Sequence, residues 1–156
     1  MNVEIRPLED DHLRHLSTRL RDIDLVEVRS LAPEGPLDEL LVSAGHASIR
    51  GKAGFLDGDL VACWAVLPHD GSETEVAPWL LATNAIDRPE VRRAFLLHGA
   101  KELRKLTEGF DYLWNFVHRE NAIAQRWLRF LGFEFRDARQ YVLGGESFVR
   151  FEMRAT

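Results

Sequence analysis

Asn121-Ala122-Ile123-Ala124-Gln125-Arg126-Trp127-Leu128-Arg129-Phe130-Leu131-Gly132-Phe133 carries the signals for both ends of a short helix. The Asn121 side chain suits an N-cap, where its oxygen accepts a backbone N–H of the first turn. Gly132 suits the left-handed residue that ends a helix. The pattern predicts an amphipathic helix from about Ala122 to Leu131. Directly before it, Tyr112-Leu113-Trp114-Asn115-Phe116-Val117 is almost wholly apolar, as a central strand covered on both faces must be.

Working back toward the N-terminus, Pro89 to Thr107 reads as a long helix with Val91, Phe95, Leu103 and Leu106 on one face. Gly99 shares that face and would allow a close approach to a sheet. Val76 to Thr83 reads as a strand, with Pro78 marking an irregularity or an edge. Strand, helix and strand over 76–118 predict a right-handed unit with parallel strands. Ala53-Gly54-Phe55-Leu56 and Leu60 to Val66 flank Asp57-Gly58, a strong hairpin signal. Val3 and Ile5 alternate with polar residues in a short first strand. Helical spacing runs from Leu8 to about Leu31, with Leu13, Leu16 and Leu20 in one stripe and Leu25, Val28 and Leu31 in another. A further helix follows Pro36 and carries Leu37, Leu40, Leu41 and Ala44, ending at Gly45. After Phe133, strands near Glu134 to Val142 and Ser147 to Met153 meet at Gly144-Gly145.

The chain has 156 residues, 46% apolar and 29% charged, with a net charge of -5. That length suits one domain, and no repeat, linker or low-complexity tract divides it, so a single domain over 1–156 is expected. It buries enough surface to fold without a disulfide or metal. The acidic balance argues against a nucleic-acid partner. No apolar run approaches the roughly 20 residues of a membrane helix, and the N-terminus lacks a signal-peptide pattern. One cysteine, Cys63, fits a reducing compartment. A soluble, cytoplasmic protein is the expectation.

The element order β-α-α-β-β-β-α-β-α-β-β resembles the GNAT superfamily of acetyl-CoA-dependent N-acetyltransferases. The sharpest resemblance lies in Asn121 to Phe133, which is similar to the family's Asn-x-x-Ala helix ending in Leu-Gly-Phe after the fifth strand. The resemblance implies an α/β fold with a mixed, mostly antiparallel sheet, a central splayed parallel strand pair and flanking helices. It also implies that the pantetheine arm of acetyl-CoA lies in the splay. A narrower resemblance, carried by Pro78 to Thr83, Leu113 to Val117 and Arg126-Trp127-Leu128, is to phage-encoded GNAT-like proteins, some of them internal virion proteins of short-tailed phages.

Two departures stand out. Family members place glycines between the fourth strand and the next helix, so that backbone N–H groups reach the cofactor pyrophosphate at a helix N-terminus. Here Asn84-Ala85-Ile86-Asp87-Arg88-Pro89-Glu90-Val91-Arg92-Arg93-Ala94 has no glycine. Pro89 removes a donor, and Asp87 and Glu90 add negative charge. Arg88, Arg92 and Arg93 either pair with phosphates in compensation or form a solvated helix face. Many family members also carry a proton-donating Tyr seven residues after the Asn, where this chain has Leu128. Tyr141 and Tyr112 are the remaining phenols.

Amine acetylation needs a general base. His118 and Glu120, just beyond the fifth strand, are the first candidates, with His46 a weaker one. His118 is otherwise a surface or hydrogen-bonded loop histidine. The amides of Leu81, Ala82 and Thr83 are candidates to hold the thioester carbonyl. Asn115, inside an apolar strand, either binds a ligand amide or bonds within the core. Asn121 matches the family position and is also explained as a cap. Trp127 is a candidate to line the slot or to fill it, and Trp79 to line a pocket near a bulge in the fourth strand. The histidines show no ligand-like clustering, so no metal is expected.

Two functions follow from the resemblance. One is an acetyl-CoA-dependent N-acetyltransferase whose pyrophosphate loop is degenerate and whose acceptor is a small-molecule or protein amine. The other is an inactive GNAT-fold protein that contacts virion or host proteins.

Overall fold

The chain, described by a computed structural model over residues 2–154 with the side chains of Asp137 and Ala138 excepted, builds a seven-stranded sheet. Strand β1 (Val3–Pro7) is followed by helices α1 (Asp10–Ser17), α2 (Asp22–Leu31) and α3 (Leu37–Ala47). Then come β2 (Arg50–Leu56), β3 (Asp59–Pro68) and β4 (Glu75–Ala82), a single 3-10 turn (Asn84–Asp87) and α4 (Pro89–Thr107). The chain closes with β5 (Tyr112–His118), α5 (Ala122–Leu131), β6 (Glu134–Leu143) and β7 (Glu146–Arg154). The sheet order is β1-β2-β3-β4-β5-β7-β6, antiparallel everywhere except between β4 and β5.

Side-chain alternation along the strands separates two packed layers. On one face Leu106 of α4 and Phe133, just after α5, are buried against Val66, Val76, Leu113, Val117, Val149 and Phe151, with Leu128 of α5 half-buried against them. On the other, α1 and α3 bury Leu13, Leu16 and Leu41 against Ala53, Cys63 and Leu81. Cys63 is fully buried, and burial pushes its thiol up to about 12. It is therefore an inert packing group.

Helix α5 forms as its sequence predicts. The Asn121 side chain accepts the Ala124 N–H at 3.3 Å, and Gly132 ends the helix at φ 102. The continuous helical spacing from Leu8 to Leu31 divides instead into α1 and α2. Their junction is a piece of sheet: Leu20 bridges Thr83, and the Arg21 N–H donates to the Ala82 carbonyl at 2.9 Å. Leu31, placed in an apolar stripe by spacing alone, is 69% exposed, and the buried residue of α2 is Asp24. Gly99 makes room for the Phe95 ring, which a Cβ at 99 would meet at 3.1 Å, rather than for the sheet.

The expected bulge in β4 is absent. Its pairing with β3 runs without a shift from Val76↔Pro68 to Ala82↔Ala62. The irregularities lie in β2, between Gly54 and Phe55, and in β6, between Arg136 and Tyr141. Nor is Pro78 on an outer strand: β4 is the central strand of the seven, and Pro78 lies two residues beyond the last β4–β5 pair.

Candidate functional site

The parallel pair β4–β5 is joined only at Glu75↔Tyr112 and Val76↔Leu113. Beyond those residues the strands diverge, and the local chemistry explains why. The Thr83 N–H donates to the Val61 carbonyl at 2.8 Å, so odd-numbered amides of β4 face β3 and even-numbered ones face β5. The first β5-facing amide after Val76 belongs to residue 78, a proline with no N–H. Across the opening, Asn115 Nδ2 donates to the Pro78 carbonyl at 2.9 Å, while Asn115 Oδ1 accepts the Phe116 N–H at 2.8 Å. One side chain thus bonds to backbone groups of both strands and holds them a side-chain width apart.

At the far end the opening is closed by the α1–α2 junction. Ala82 donates its N–H to Asp24 Oδ2 at 2.8 Å and accepts the Arg21 N–H on its carbonyl. Arg21 and Asp24 are both buried and joined at 2.8 Å. Burial pushes the Asp24 carboxyl above its ordinary range, and the Arg21 guanidinium beside it opposes that shift. Of the carbonyl-holding amides expected at Leu81, Ala82 and Thr83, the first and third face the β3 ladder and the second is taken by Asp24. The β5-facing amide left in this stretch is that of Leu80, one residue outside the expected window.

The residue that sequence reasoning missed is Glu27. It projects from α2 to the rim of the opening, where its Oε1 accepts the Asn121 Nδ2 amide at 2.8 Å and the His118 backbone N–H at 3.3 Å. Oε2 accepts no hydrogen bond among the described residues. Burial, and secondarily the nearby Asp24 charge, push this carboxyl up to about 7, against the opposing Asn121 and His118 bonds. Nothing local in the sequence marks it, because its partners lie more than 90 residues away.

The candidate bases are placed as follows. His118 is 4% exposed, and both ring nitrogens are engaged: Nδ1 accepts the Glu120 N–H at 3.0 Å, and Nε2 lies 3.1 Å from Glu146. That pattern makes Nε2 the protonated nitrogen of a neutral ring. Glu120 is exposed. His46 bonds Asp10 at 2.8 Å on the outer surface. The Tyr112 hydroxyl donates to Glu152 and accepts from Arg150, while the Tyr141 ring packs 4.9 Å from Phe116. Leu128 is half-buried against the core. Among the described residues no His/Cys/Asp/Glu group could hold a metal.

A cleft of about 520 Å3 runs through the opening to both faces of the sheet. Leu80, Leu81, Asn115, Asn121 and Trp127 line it together with Glu27. Trp127 stacks on Phe95 at 4.0 Å, bridging α5 and α4. Arg88, Arg92 and Arg93 lie outside the cleft wall at the start of α4, all exposed, with Arg88 3.4 Å from Glu90. The loop amides before them turn inward: Ala85 donates to Thr83 Oγ1, Ile86 to the Thr83 carbonyl and Arg88 to the Ala85 carbonyl. Trp79 lines the opposite wall, with Nε1 donating to Ser48 at 3.0 Å.

A mostly antiparallel sheet opened at one parallel pair, with a capped helix beside the opening, is the GNAT fold, and solved structures bear this out. The ribosomal-protein-S18-alanine N-acetyltransferase from Escherichia coli is 19% identical, with 98% of this chain and 94% of that one covered at a TM-score of 0.64. An acetyltransferase of GNAT family from Streptococcus pneumoniae is 11% identical, with 99% and 100% covered at 0.64. The yncA protein from Salmonella typhimurium, solved with its cofactor acetyl-CoA, is 15% identical, with 97% and 93% covered at 0.65. No family model and no curated protein matches the sequence. No helix among the described residues is long and apolar enough to cross a membrane.

Proposed function

We propose that this protein is an N-acetyltransferase that moves an acetyl group from a thioester donor, acetyl-CoA, to a primary amine. One observation carries the reading: Glu27, a half-buried carboxylate with one oxygen unbonded among the described residues, lines the same opening as the β5-facing Leu80 amide. The donor supplies an acetyl carbonyl activated by sulfur. Glu27 Oε2 takes the amine proton, and its perturbed carboxyl is suited to that at neutral pH. The Leu80 N–H holds the carbonyl oxygen as negative charge builds there. A carbon–nitrogen bond forms, the carbon–sulfur bond breaks, and the Glu27 carboxyl returns a proton to the departing sulfur. Asn121 and the His118 backbone amide orient Glu27. The His118 ring and the Glu120 amide fix the turn that presents them.

The opening fits the thioester arm, since apolar walls and the polar side chains of Asn115 and Asn121 meet there. It offers the phosphates no glycine cradle. The exposed guanidinium groups of Arg92 and Arg93 take that part in this reading, with Arg88 partly drawn off by Glu90. Trp127 flanks the arm.

A contact role, in a virion or against a host factor, is the second reading. The inward-turned loop amides and the Phe95–Trp127 stack favour it. Titration with acetyl-CoA separates the two. At a thousandfold excess over Kd, binding raises stability by about 4 kcal/mol. An unchanged melting temperature at millimolar acetyl-CoA removes the enzyme reading and leaves the second.

A further inference from the structure

The cleft continues past Glu27 onto the face of the sheet that carries α2 and α3. There its walls are Val28 and Leu31 of α2, Leu40 of α3, Trp79 of β4, Phe116 of β5 and Leu143 of β6. The turn after Leu143 seals this chamber against α2. A Cβ on Gly144 would lie 2.4 Å from the Ser30 carbonyl oxygen, so turn and helix are in backbone contact. Two charged groups border the chamber. Glu27 has an oxygen unbonded among the described residues and no ion-pair partner there, while Arg21 is buried and ion-paired to Asp24, with Nη2 and Nε bonded at 2.8 and 3.3 Å and Nη1 making no hydrogen bond among the described residues. The chamber therefore presents one charge without a counter-charge among the described residues, negative, at the end that meets the opening, and mostly apolar carbon elsewhere.

Those features select by charge and by polarity. An ammonium group is drawn to Glu27. A carboxylate on the same molecule would sit beside Glu27 and find the nearby Arg21 already matched by Asp24, and leaving such a group without a counter-charge in an apolar site is costly. A hydroxyl on a short acceptor would find aliphatic and aromatic walls in place of partners. We infer that the acceptor is an apolar primary amine, with an alkyl or aryl body and no carboxylate, seated with its nitrogen at Glu27 and its body between α2, α3 and the β6–β7 turn. This rests on the transferase reading for the chemistry, but the amine site itself does not.

The test uses phenethylamine, phenylalanine and ethanolamine. Binding to the protein without any thioester is followed by calorimetry, and acetylation is followed with acetyl-CoA. Phenethylamine is expected to bind, and to be acetylated with kcat/KM at least tenfold above either competitor. Leu31→Arg, at an exposed rim position that tolerates the change, is expected to narrow the gap between phenethylamine and phenylalanine by about tenfold. Equal or better use of phenylalanine or ethanolamine overturns the inference and leaves the transferase standing. Phenethylamine binding without acetylation keeps the amine site and removes the transferase. Failure of all three to bind or react overturns the inference, and the acetyl-CoA titration then decides the transferase by itself.

Discussion

Glu27 accepts a 2.8 Å hydrogen bond from the Asn121 side chain across 94 residues of chain, so the cap of α5 also aims a half-buried carboxylate from α2. Asn121 is bifunctional in the plain sense: its oxygen holds the helix and its amide nitrogen holds the acid.

Replacing the acid isolates its chemistry. Glu27→Gln keeps the volume and can still accept from Asn121, but it cannot take a proton. Acetylation is expected to fall by 100-fold or more in kcat, with acetyl-CoA affinity from calorimetry unchanged. In the wild type, kcat/KM rises with pH through about 7 as Glu27 ionises, and the variant's residual rate lacks that limb. A variant with wild-type rates removes Glu27 from the mechanism.

The same carboxyl makes stability pH-dependent. Its proton is held more tightly folded than unfolded, so the folded state binds more protons between the ordinary carboxyl value of 4.5 and about 7. Stability is therefore lost as pH rises through that window, by on the order of 3 kcal/mol. Glu27→Gln lacks this loss. Urea unfolding of both proteins from pH 4.5 to 8 is expected to show the variant gaining on the wild type across the window and level with it in slope above.

Asn121→Ser tests the two functions of the cap separately. Serine caps a helix about as well as asparagine, so the helix contribution survives, but the short hydroxyl does not reproduce the amide reach to Glu27. The thermal midpoint is expected to change by no more than a few degrees while the pH midpoint of kcat/KM moves upward, because a bond that favours the ionised acid is gone. Asn121→Ala should lose the cap as well and cost about 1 kcal/mol more.

Arg92→Ala with Arg93→Ala is expected to raise the KM for acetyl-CoA tenfold or more and to weaken its dependence on salt, with kcat little changed. Both guanidinium groups are exposed, so folding should be unaffected, and circular dichroism checks it. An unchanged KM reassigns these arginines to the solvent.

Gly144→Ala is expected to destabilise the chain by 1–3 kcal/mol. Its φ of +57 disfavours a side chain, and the added carbon would strike the Ser30 backbone. Chemical denaturation measures the loss.

What could be read from the sequence was local. The α5 helix was legible because both caps and the apolar stripe sit within 13 residues, and Pro89 to Thr107 because its period persists over five turns. The β4–β5 unit followed from strand–helix–strand order. The split between α1 and α2 was not legible, since the break is made by Ala82 and Thr83, some sixty residues away, drawing Leu20 and Arg21 into the sheet. Glu27 was hidden for the same reason, sitting among Asp24, Val26 and Val28 as an ordinary helix glutamate. That the Leu80 amide faces β5, one position before the expected window, could not be read, because it needs the pairing phase of β3 and β4.

A sheet that comes apart in its middle creates two raw strand margins inside the molecule, and such margins ordinarily recruit any extended peptide that meets them. Here Pro78 has no donor to offer and its carbonyl is covered by Asn115, while Ala82 is sealed on both polar atoms by Asp24 and Arg21. The fissure is thus chemically blunted along its length apart from the stretch around Leu80. It stays open to a slender guest without inviting a passing β-segment to zip it shut.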